Sequence, residues 1–278
     1  MIDLHLHTTA SDGRSSPAEL VREAAAAGLT TIAVTDHDTM AAHADVAAAA
    51  RDAGLRTVPG IEITAVHTRR DVHILAYFVR DASGELAAFL ERQRADRLRR
   101  LEQMIELLDR SGVPVDPDLV TPRPGDVGRA LGRPMLADAL IRAGHVKTRQ
   151  EAFERYLSEG RPAFIEREGA SPAEVIELVR RARGLTSLAH PGKVRHDEWI
   201  PGFVESGLPA IEVHHPDHDF VDANRYRRIA ERYGLLATGG SDYHGPGSGR
   251  TDGLGRVTLG QTDFERLAEC AGWSIGSA

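Results

Sequence analysis

The chain has 278 residues, 41% hydrophobic, 27% charged and 5% aromatic, and 41 acidic against 34 basic side chains leave a net charge of −7. That length suits one large domain, or a domain carrying an insertion, with a core that needs no disulfide staples. The single Cys270 excludes an internal disulfide and a cysteine-rich zinc site, and the acidic balance argues against a protein that coats nucleic acid.

Short β-branched runs alternate with alanine-rich stretches over the first eighty residues. Ile2–Leu4, Thr31–Thr35, Arg56–Pro59, Glu62–Val66 and His73–Val79 read as strands. Ser16-Pro17-Ala18-Glu19 opens a helix with a cap, a proline at the first helical position and an acid in the first turn, and Gly28 closes it. A second helix runs from about Thr39 to Ala53 and stops at Gly54. Between Asp81 and Arg161 the pattern becomes helical, with Leu86, Phe89, Leu90, Leu98, Leu101, Ile105 and Leu108 at helical spacing. A proline- and glycine-rich loop, Pro114 to Pro134, precedes helices at Leu136–Ala143 and Arg149–Ser158. Alternation returns with the capped helix from Ser171-Pro172 to Arg183 and strands Leu185–Ala189, Ala210–Val213 and Leu235–Thr238. The expected fold is α/β: a parallel sheet or barrel of residues 1–80 and 162–278, interrupted by a helical insertion, 81–161, that caps it.

Chemistry-bearing residues sit at the strand ends. His5 and His7, two apart on a strand, share a face, and Asp12 follows on the adjoining turn. Most such pairs are ordinary surface or core histidines, but the carboxyl end of a strand raises the odds of function. Thr35-Asp36-His37-Asp38-Thr39 ends the next strand; Asp38 and Thr39 read more simply as the turn and N-cap of the following helix. Glu62 and His73 interrupt apolar strands. His190 ends the Leu185–Ala189 strand, and Asp242 and His244 follow the last one. Strand ends of a barrel converge on one pocket. Six histidines and three carboxylates exceed what one tetrahedral zinc needs, which points to two or three zinc, manganese or iron ions and hydrolysis.

The ordered motifs Asp3-Leu4-His5-Leu6-His7-Thr8, Thr35-Asp36-His37-Asp38, Gly60-Ile61-Glu62, His73, Ala189-His190-Pro191 and Gly240-Ser241-Asp242-Tyr243-His244 resemble the PHP (polymerase and histidinol phosphatase) family of metal-dependent phosphoesterases. The resemblance implies a distorted (β/α)7 barrel and three metal positions. His5, His7, Glu62 and Asp242 would hold the first; Glu62 would bridge to a second held by His73 and His190; Asp12, His37 and His244 would form the third. The insertion with Gly132-Arg133-Pro134, together with Ile211-Glu212-Val213-His214-His215-Pro216, is similar to members acting on nucleotide phosphates and RNA 5′ ends. Those members commonly carry histidine after Gly-Arg-Pro, where this chain has Met135.

The implied reaction is attack on phosphorus by a metal-activated hydroxide, with the ions neutralising charge on the phosphoryl oxygens. Arg133 could clamp phosphate, Lys193 could neutralise it, and His215 and His218 could orient it or protonate the leaving oxygen. Taken alone, Arg133 reads as a solvated arginine at a helix start. Only one of His214 and His215 should face the pocket; His43, His67, His145 and His196 read as structural or exposed. Arg92, Arg94, Arg97, Arg99 and Arg100, interleaved with Glu91, Asp96 and Glu102, read as an ion-paired helix rather than an RNA track. Gly245 to Gly255 lacks the lysine and serine of a P-loop and reads as a rim loop.

The leading expectation is a phosphomonoesterase of a small nucleotide, a nucleoside monophosphate or 3′,5′-bisphosphate. The alternative is a 5′-3′ exonuclease on short RNA. Histidinol phosphatase, carbon–nitrogen hydrolase and a non-catalytic metal-binding regulatory module are remoter. No apolar run reaches the roughly 18 residues of a membrane span, and the first residues lack a signal-peptide pattern, so no membrane partner and a cytoplasmic location are expected.

Overall fold

The structure, a computed structural model, describes residues 1–121, 128–248 and 253–274. In chain order its elements are β1 (Ile2–Leu6), α1 (Pro17–Ala26), β2 (Thr31–Val34), α2 (His43–Asp52), β3 (Arg56–His67), β4 (Arg70–Tyr77), α3 (Gly84–Arg110), α4 (Arg133–Arg142), α5 (Arg149–Ala152), α6 (Pro172–Arg181), β5 (Leu185–Leu188), α7 (Pro191–Val194), α8 (Ile200–Glu205), β6 (Ala210–His214), α9 (Phe220–Tyr233), β7 (Leu236–Gly239) and α10 (Gln261–Cys270). The seven strands form one sheet in sequence order. It curls until Leu6 pairs with Tyr243 just beyond β7, where the His7 amide donates to the Tyr243 carbonyl at 2.9 Å. The product is a nearly closed barrel wrapped by helices, as the distorted (β/α)7 expectation required.

The strands depart from a parallel α/β barrel at one place, and the departure positions the site. Arg56–Pro59 and Glu62–Val66, expected as two strands, are one twelve-residue strand, β3. Its second half pairs with β4 in antiparallel register, Glu62 opposite Leu75 and Thr64 opposite His73, and β4 is again antiparallel to β5. Val34, the last residue of β2, pairs with Pro59, so β3 carries Glu62 beyond the end of its parallel neighbour. His73 reaches the same level from the first half of a strand running the other way, and the Ala189 amide donates to its carbonyl at 3.0 Å. A parallel strand would have put His73 at the opposite end of the barrel.

Local signals set most helix starts. Ser16 and Glu19 cap α1 reciprocally with Pro17 in the first turn, and Ser171, Glu174 and Pro172 do the same for α6. The second helix begins at His43 rather than Thr39, because the Thr39 hydroxyl accepts the Ala41 amide and donates to the Gly128 carbonyl, forming a turn. The expected Arg149–Ser158 helix is α5 followed by a π-helical turn, Phe153–Leu157. Part of the Pro114–Pro134 loop and part of the Gly245–Gly255 loop lie outside the described residues.

The apolar residues form separate groups. Ile61, Ile63, Ile74, Val175, Val179, Ile211 and Tyr226 belong to a core between the sheet and its helices, and Leu86 and Leu90 from the first half of α3 join it. The second half of α3 turns Leu101, Met104 and Leu108 toward Leu136, Leu140, Tyr156 and Leu157, a second cluster outside the barrel. Thus α3 is shared, its first turns belonging to the barrel and its last to the inserted helices. Among the described residues, no helix is long and apolar enough to cross a membrane.

The barrel's seam is tight. Asp3 Oδ1 accepts main-chain amides from both His5 (3.2 Å) and Ser241 (3.0 Å), tying the first strand to the segment after the last. A Cβ on Gly240 would lie 2.4 Å from the His5 nitrogen and 2.5 Å from its Cβ, so backbone would have to move. Gly240→Ala should therefore cost about 1–3 kcal/mol, the usual penalty for forced overpacking, read as a lower thermal-denaturation midpoint. An unchanged midpoint would show that the seam yields freely.

Candidate metal centre

All nine residues expected to bind metal meet at the mouth of the barrel. His5 on β1 and His7 just beyond its end are both completely buried. His5 Nδ1 donates to Glu212 Oε1 at 2.9 Å, which leaves Nε2 facing the centre. Glu212 Oε2 accepts the His190 amide at 2.7 Å. Burial opposes ionisation of Glu212, but the adjoining His5 imidazole outweighs it and holds the carboxyl down to about 2.

Glu62 is the hub. Its Oε1 lies 2.7 Å from His73 Nδ1 and 2.9 Å from His190 Nε2. Its Oε2 lies 3.0 Å from His37 Nδ1, 3.3 Å from His7 Nε2 and 3.4 Å from His5 Nε2. Asp242 Oδ1 faces His7 Nε2 at 3.3 Å and His5 Nε2 at 3.5 Å. Asp12 Oδ1 faces His244 Nε2 at 3.1 Å and His37 Nε2 at 3.8 Å. Burial disfavours the charge on Glu62, yet His37, His73 and His5 keep its carboxyl well below the usual range.

These distances do not make a satisfied hydrogen-bond network. His5 Nε2, His7 Nε2, His37 Nδ1, Asp12 Oδ1 and Glu62 Oε2 are buried without a hydrogen-bond partner. A buried polar atom left unpaired costs on the order of 1–3 kcal/mol, and so many converging on one point are explained by a cation that accepts their lone pairs. Groups such as His7–Asp12–His37–His244, His5–His7–Asp242 and His37–Glu62–His73 each bring ligand atoms within 4.8 Å of one another. Imidazole nitrogen and carboxylate oxygen are donors that suit divalent zinc, manganese or iron. Strained backbone marks the same place: Asp38, His190 and Asp242 have φ of +49°, +27° and +49°.

The residues expected around the metals separate by geometry. His215 Nε2 lies 3.3 Å from Asp242 Oδ2, and its Nδ1 accepts the Asp217 amide at 3.0 Å. The neutral ring therefore carries its hydrogen on Nε2, facing the centre. Lys193 Nζ lies 2.8 Å from the same Asp242 oxygen and 3.2 Å from Asp217. His218 is different, because both its nitrogens are engaged by main chain. Nδ1 donates to the Val213 carbonyl at 3.0 Å and Nε2 accepts the Gly192 amide at 3.0 Å, so the ring fastens the turn after β5. A Cβ on Gly192 would meet this ring at 2.5 Å. His214 turns away to Arg227 (3.0 Å). His43 binds the Gly60 carbonyl, His145 the Pro114 carbonyl, and His67 and His196 pack on Trp199. Asp38 serves neither as a metal ligand nor as a cap; it accepts the Thr64 amide and pairs with Arg97 at 2.5 Å.

Beside the metal centre runs a basic cleft whose walls include Arg97, Arg100, Arg133 and Arg167. The ion-paired-helix reading of α3 fails for two residues there, since Arg97 and Arg100 turn inward. Arg97 is neutralised by Asp38, and Arg133 faces Asp71 at 3.2 Å. Arg100 donates to the Ile165 carbonyl, and Arg167 is only 8% exposed; among the described residues neither has a carboxylate ion-pair partner. Burial, and then neighbouring arginines, pull both guanidinium groups down to about 10. Met135, which replaces the common histidine, packs against the inserted helices' own cluster. Glu212 was discoverable, being a carboxylate inside an apolar strand like Glu62. Arg167, flanked by Glu166 and Glu168, looks like any solvated arginine in sequence.

This fold and this ligand set define a metal-dependent hydrolase, and comparison with known proteins gives its family. Residues 3–101 match the PHP domain. A 3′,5′-nucleoside bisphosphate phosphatase from Chromobacterium violaceum is 34% identical, aligned over 90% of each chain. A phosphoribosyl 1,2-cyclic phosphate 1,2-diphosphodiesterase from Eggerthella lenta is 34% identical over 87% of this chain and 94% of its own. A 5′-3′ exoribonuclease from Haemophilus influenzae is 32% identical over 88% and 90%. A Bifidobacterium adolescentis crystal structure described as a metal-dependent phosphoesterase superposes with a TM-score of 0.89 at 33% identity, covering 99% of this chain and 97% of that one. The chain belongs to the PHP family. It is an enzyme that hydrolyses phosphoric esters.

Glu212→Gln should lower metal affinity about 10- to 100-fold, as loss of a carboxylate orienting a metal-bound histidine does, with the circular dichroism spectrum kept. Metal content and calorimetric affinity equal to wild type would remove Glu212 from the centre.

Proposed function

We propose that the protein is a phosphomonoesterase of small nucleotides carrying a second phosphate, a nucleoside 3′,5′-bisphosphate being the best fit. The observation that carries this reading is the pair of guanidinium groups of buried Arg167 and half-buried Arg100, without carboxylate ion-pair partners among the described residues and beside the ligand cluster. Only the carboxylates of Asp38 and Asp71, short of direct ion pairing, offset these charges; burial of a cation so weakly compensated is costly, and a substrate anion placed there relieves the cost. A substrate with one phosphate at the metals and another in the arginine cleft uses both features. The 3′,5′-bisphosphate phosphatase named above agrees with it. A cytoplasmic location goes with this substrate class.

We assign His5, His7, Glu62 and Asp242 to one divalent ion, His73 and His190 with Glu62 to a second, and Asp12, His37 and His244 to a third. The Glu62 contacts support the bridging role. When bound, such ions supply a nucleophile at neutral pH and neutralise phosphoryl charge. The chain's own groups do the rest. His215, with its Nε2 hydrogen facing the centre, donates a hydrogen bond there that orients the phosphate and stabilises developing charge. Lys193 screens the scissile phosphate, Arg133 closes on it from the start of α4, and His218 keeps the turn carrying His190 and Lys193 in place. The inserted helices, 81–161, act as the cap that supplies most of the arginines.

The test is phosphate release from a nucleoside 3′,5′-bisphosphate, a nucleoside monophosphate and a short 5′-phosphorylated RNA by manganese-loaded protein. The bisphosphate is expected to be preferred, with activity abolished by a chelator and restored by manganese. Stepwise release of mononucleotides from RNA, with the bisphosphate inert, would overturn the reading in favour of the exonuclease. His215→Ala should lower kcat by about 100-fold or more while leaving KM nearly unchanged; a pure KM effect would remove its part in stabilising developing charge. Arg167→Ala should raise KM for the bisphosphate about 10- to 100-fold, the worth of a charge-assisted contact, and leave single-phosphate substrates nearly unchanged. An equal effect on both substrates would show that Arg167 does not read the second phosphate.

A further inference from the structure

The arginine cleft opens beyond the phosphate-binding groups into a cavity of about 400 Å³, where Phe153 and Phe164 join Arg100, Arg133, His190 and Lys193 in the lining. A cavity of that size lies in the range of small-molecule sites. The two phenylalanines are unlike most of the chain's other aromatics. Tyr77, Phe78, Tyr226 and Phe264 are fully buried in the core, whereas Phe153 and Phe164 are half-buried and face the cavity. Each ring is accompanied by a guanidinium, Arg133 over Phe153 and Arg100 over Phe164, both at 5.8 Å. Phe153 opens the π-helical turn, Phe153–Leu157, that interrupts the end of α5. Such turns persist at functional sites because they aim a side chain that a regular helix would point elsewhere.

We propose that Phe153 and Phe164 form a nucleobase subsite, so that the enzyme selects substrates carrying a base over phosphorylated sugars without one. The proposal rests on the nucleotide reading above and deepens it. An aromatic ring next to a guanidinium plane offers a base both stacking and cation–π attraction. Every base has a π-face, so the subsite is tolerant of base identity and demands only that a base be present. Phe153 also packs against the apolar cluster of the neighbouring helices, yet both rings stay only half-buried in a cleft otherwise built for anions. Phosphate groups in the cleft would leave the phenylalanine faces in water; a base covers them.

The test compares a nucleoside 3′,5′-bisphosphate with its abasic analogue, a hydrogen in place of the base, on the full chain loaded with manganese. Hydrolysis and calorimetric binding are both measured. The wild type should bind the nucleoside compound at least about tenfold tighter, the equivalent of about 1.4 kcal/mol. Phe164→Ala and Phe153→Ala should each erase most of that preference by weakening the nucleoside compound alone. Phe164→Tyr, which keeps the π-face, should restore it, and Phe164→Leu, which keeps only apolar bulk, should not. Equal binding of the two compounds by wild type overturns the subsite, as does an equal loss for both in the alanine variants. Failure to hydrolyse either bisphosphate would overturn the proposed reaction instead, and the binding preference would still decide the subsite.

Discussion

The architecture depends on a single electrostatic problem: a crowd of buried imidazole and carboxylate groups whose lone pairs point at one another. Glu62 stands at its centre, contacting His5, His7, His37, His73 and His190 through two oxygens. Without cations the ring protonations are pulled apart. Burial opposes charge on His7, but Asp242 and Glu62 push its pKa up to about 9. Burial and then the Lys193 charge push that of His190 down to about 3. Divalent ions bound there would resolve the conflict by letting the imidazoles that hold them be neutral donors. Backbone in the left-handed region at Asp38, His190 and Asp242 lies beside the same convergence.

The barrel is shaped to permit this convergence. Reversal at β4 lets one long β-hairpin deliver Glu62 and His73 to the level where parallel strands end. Asp3 secures the first strand to the segment after the last, bringing His5 and Asp242 side by side. Glu212 then locks the orientation of His5 and the amide of His190 with one carboxylate. Each device acts through main chain or through a buried acid, so the metal centre and the stability of the barrel are coupled.

In the proposed function, selectivity rests on a different element. The metal centre belongs to the barrel strands, whereas Arg97, Arg100, Arg133 and Phe153 come from the inserted helices, and Phe164 and Arg167 come from the segment that returns to the barrel. The insertion has its own apolar cluster and shares α3 with the barrel core. That arrangement separates the chemistry from the reading of the substrate. Variation in the inserted helices could then alter the proposed anion and base contacts without disturbing the imidazole and carboxylate cluster on the strands.

The strand–helix alternation and the capped helices were legible in the sequence, as were the nine imidazole and carboxylate residues that the fold gathers at the barrel mouth, because each rests on local spacing or an ordered motif. A histidine or carboxylate at the end of an apolar run is a contradiction visible in one dimension. The antiparallel turn of β4 was not legible, since an apolar strand reads the same in either direction. Nor was the difference between His215 and His218, which rests on which main-chain groups approach their rings. Arg100, on a helix that reads as ion-paired, and Arg167, flanked by Glu166 and Glu168, resemble surface charges in sequence, and only packing puts them together in a cleft. The sequence by itself determined the kind of site, through residue chemistry and order. The tertiary structure alone decided which further charges lie beside it, because burial and distance between segments far apart in the chain leave no periodic trace.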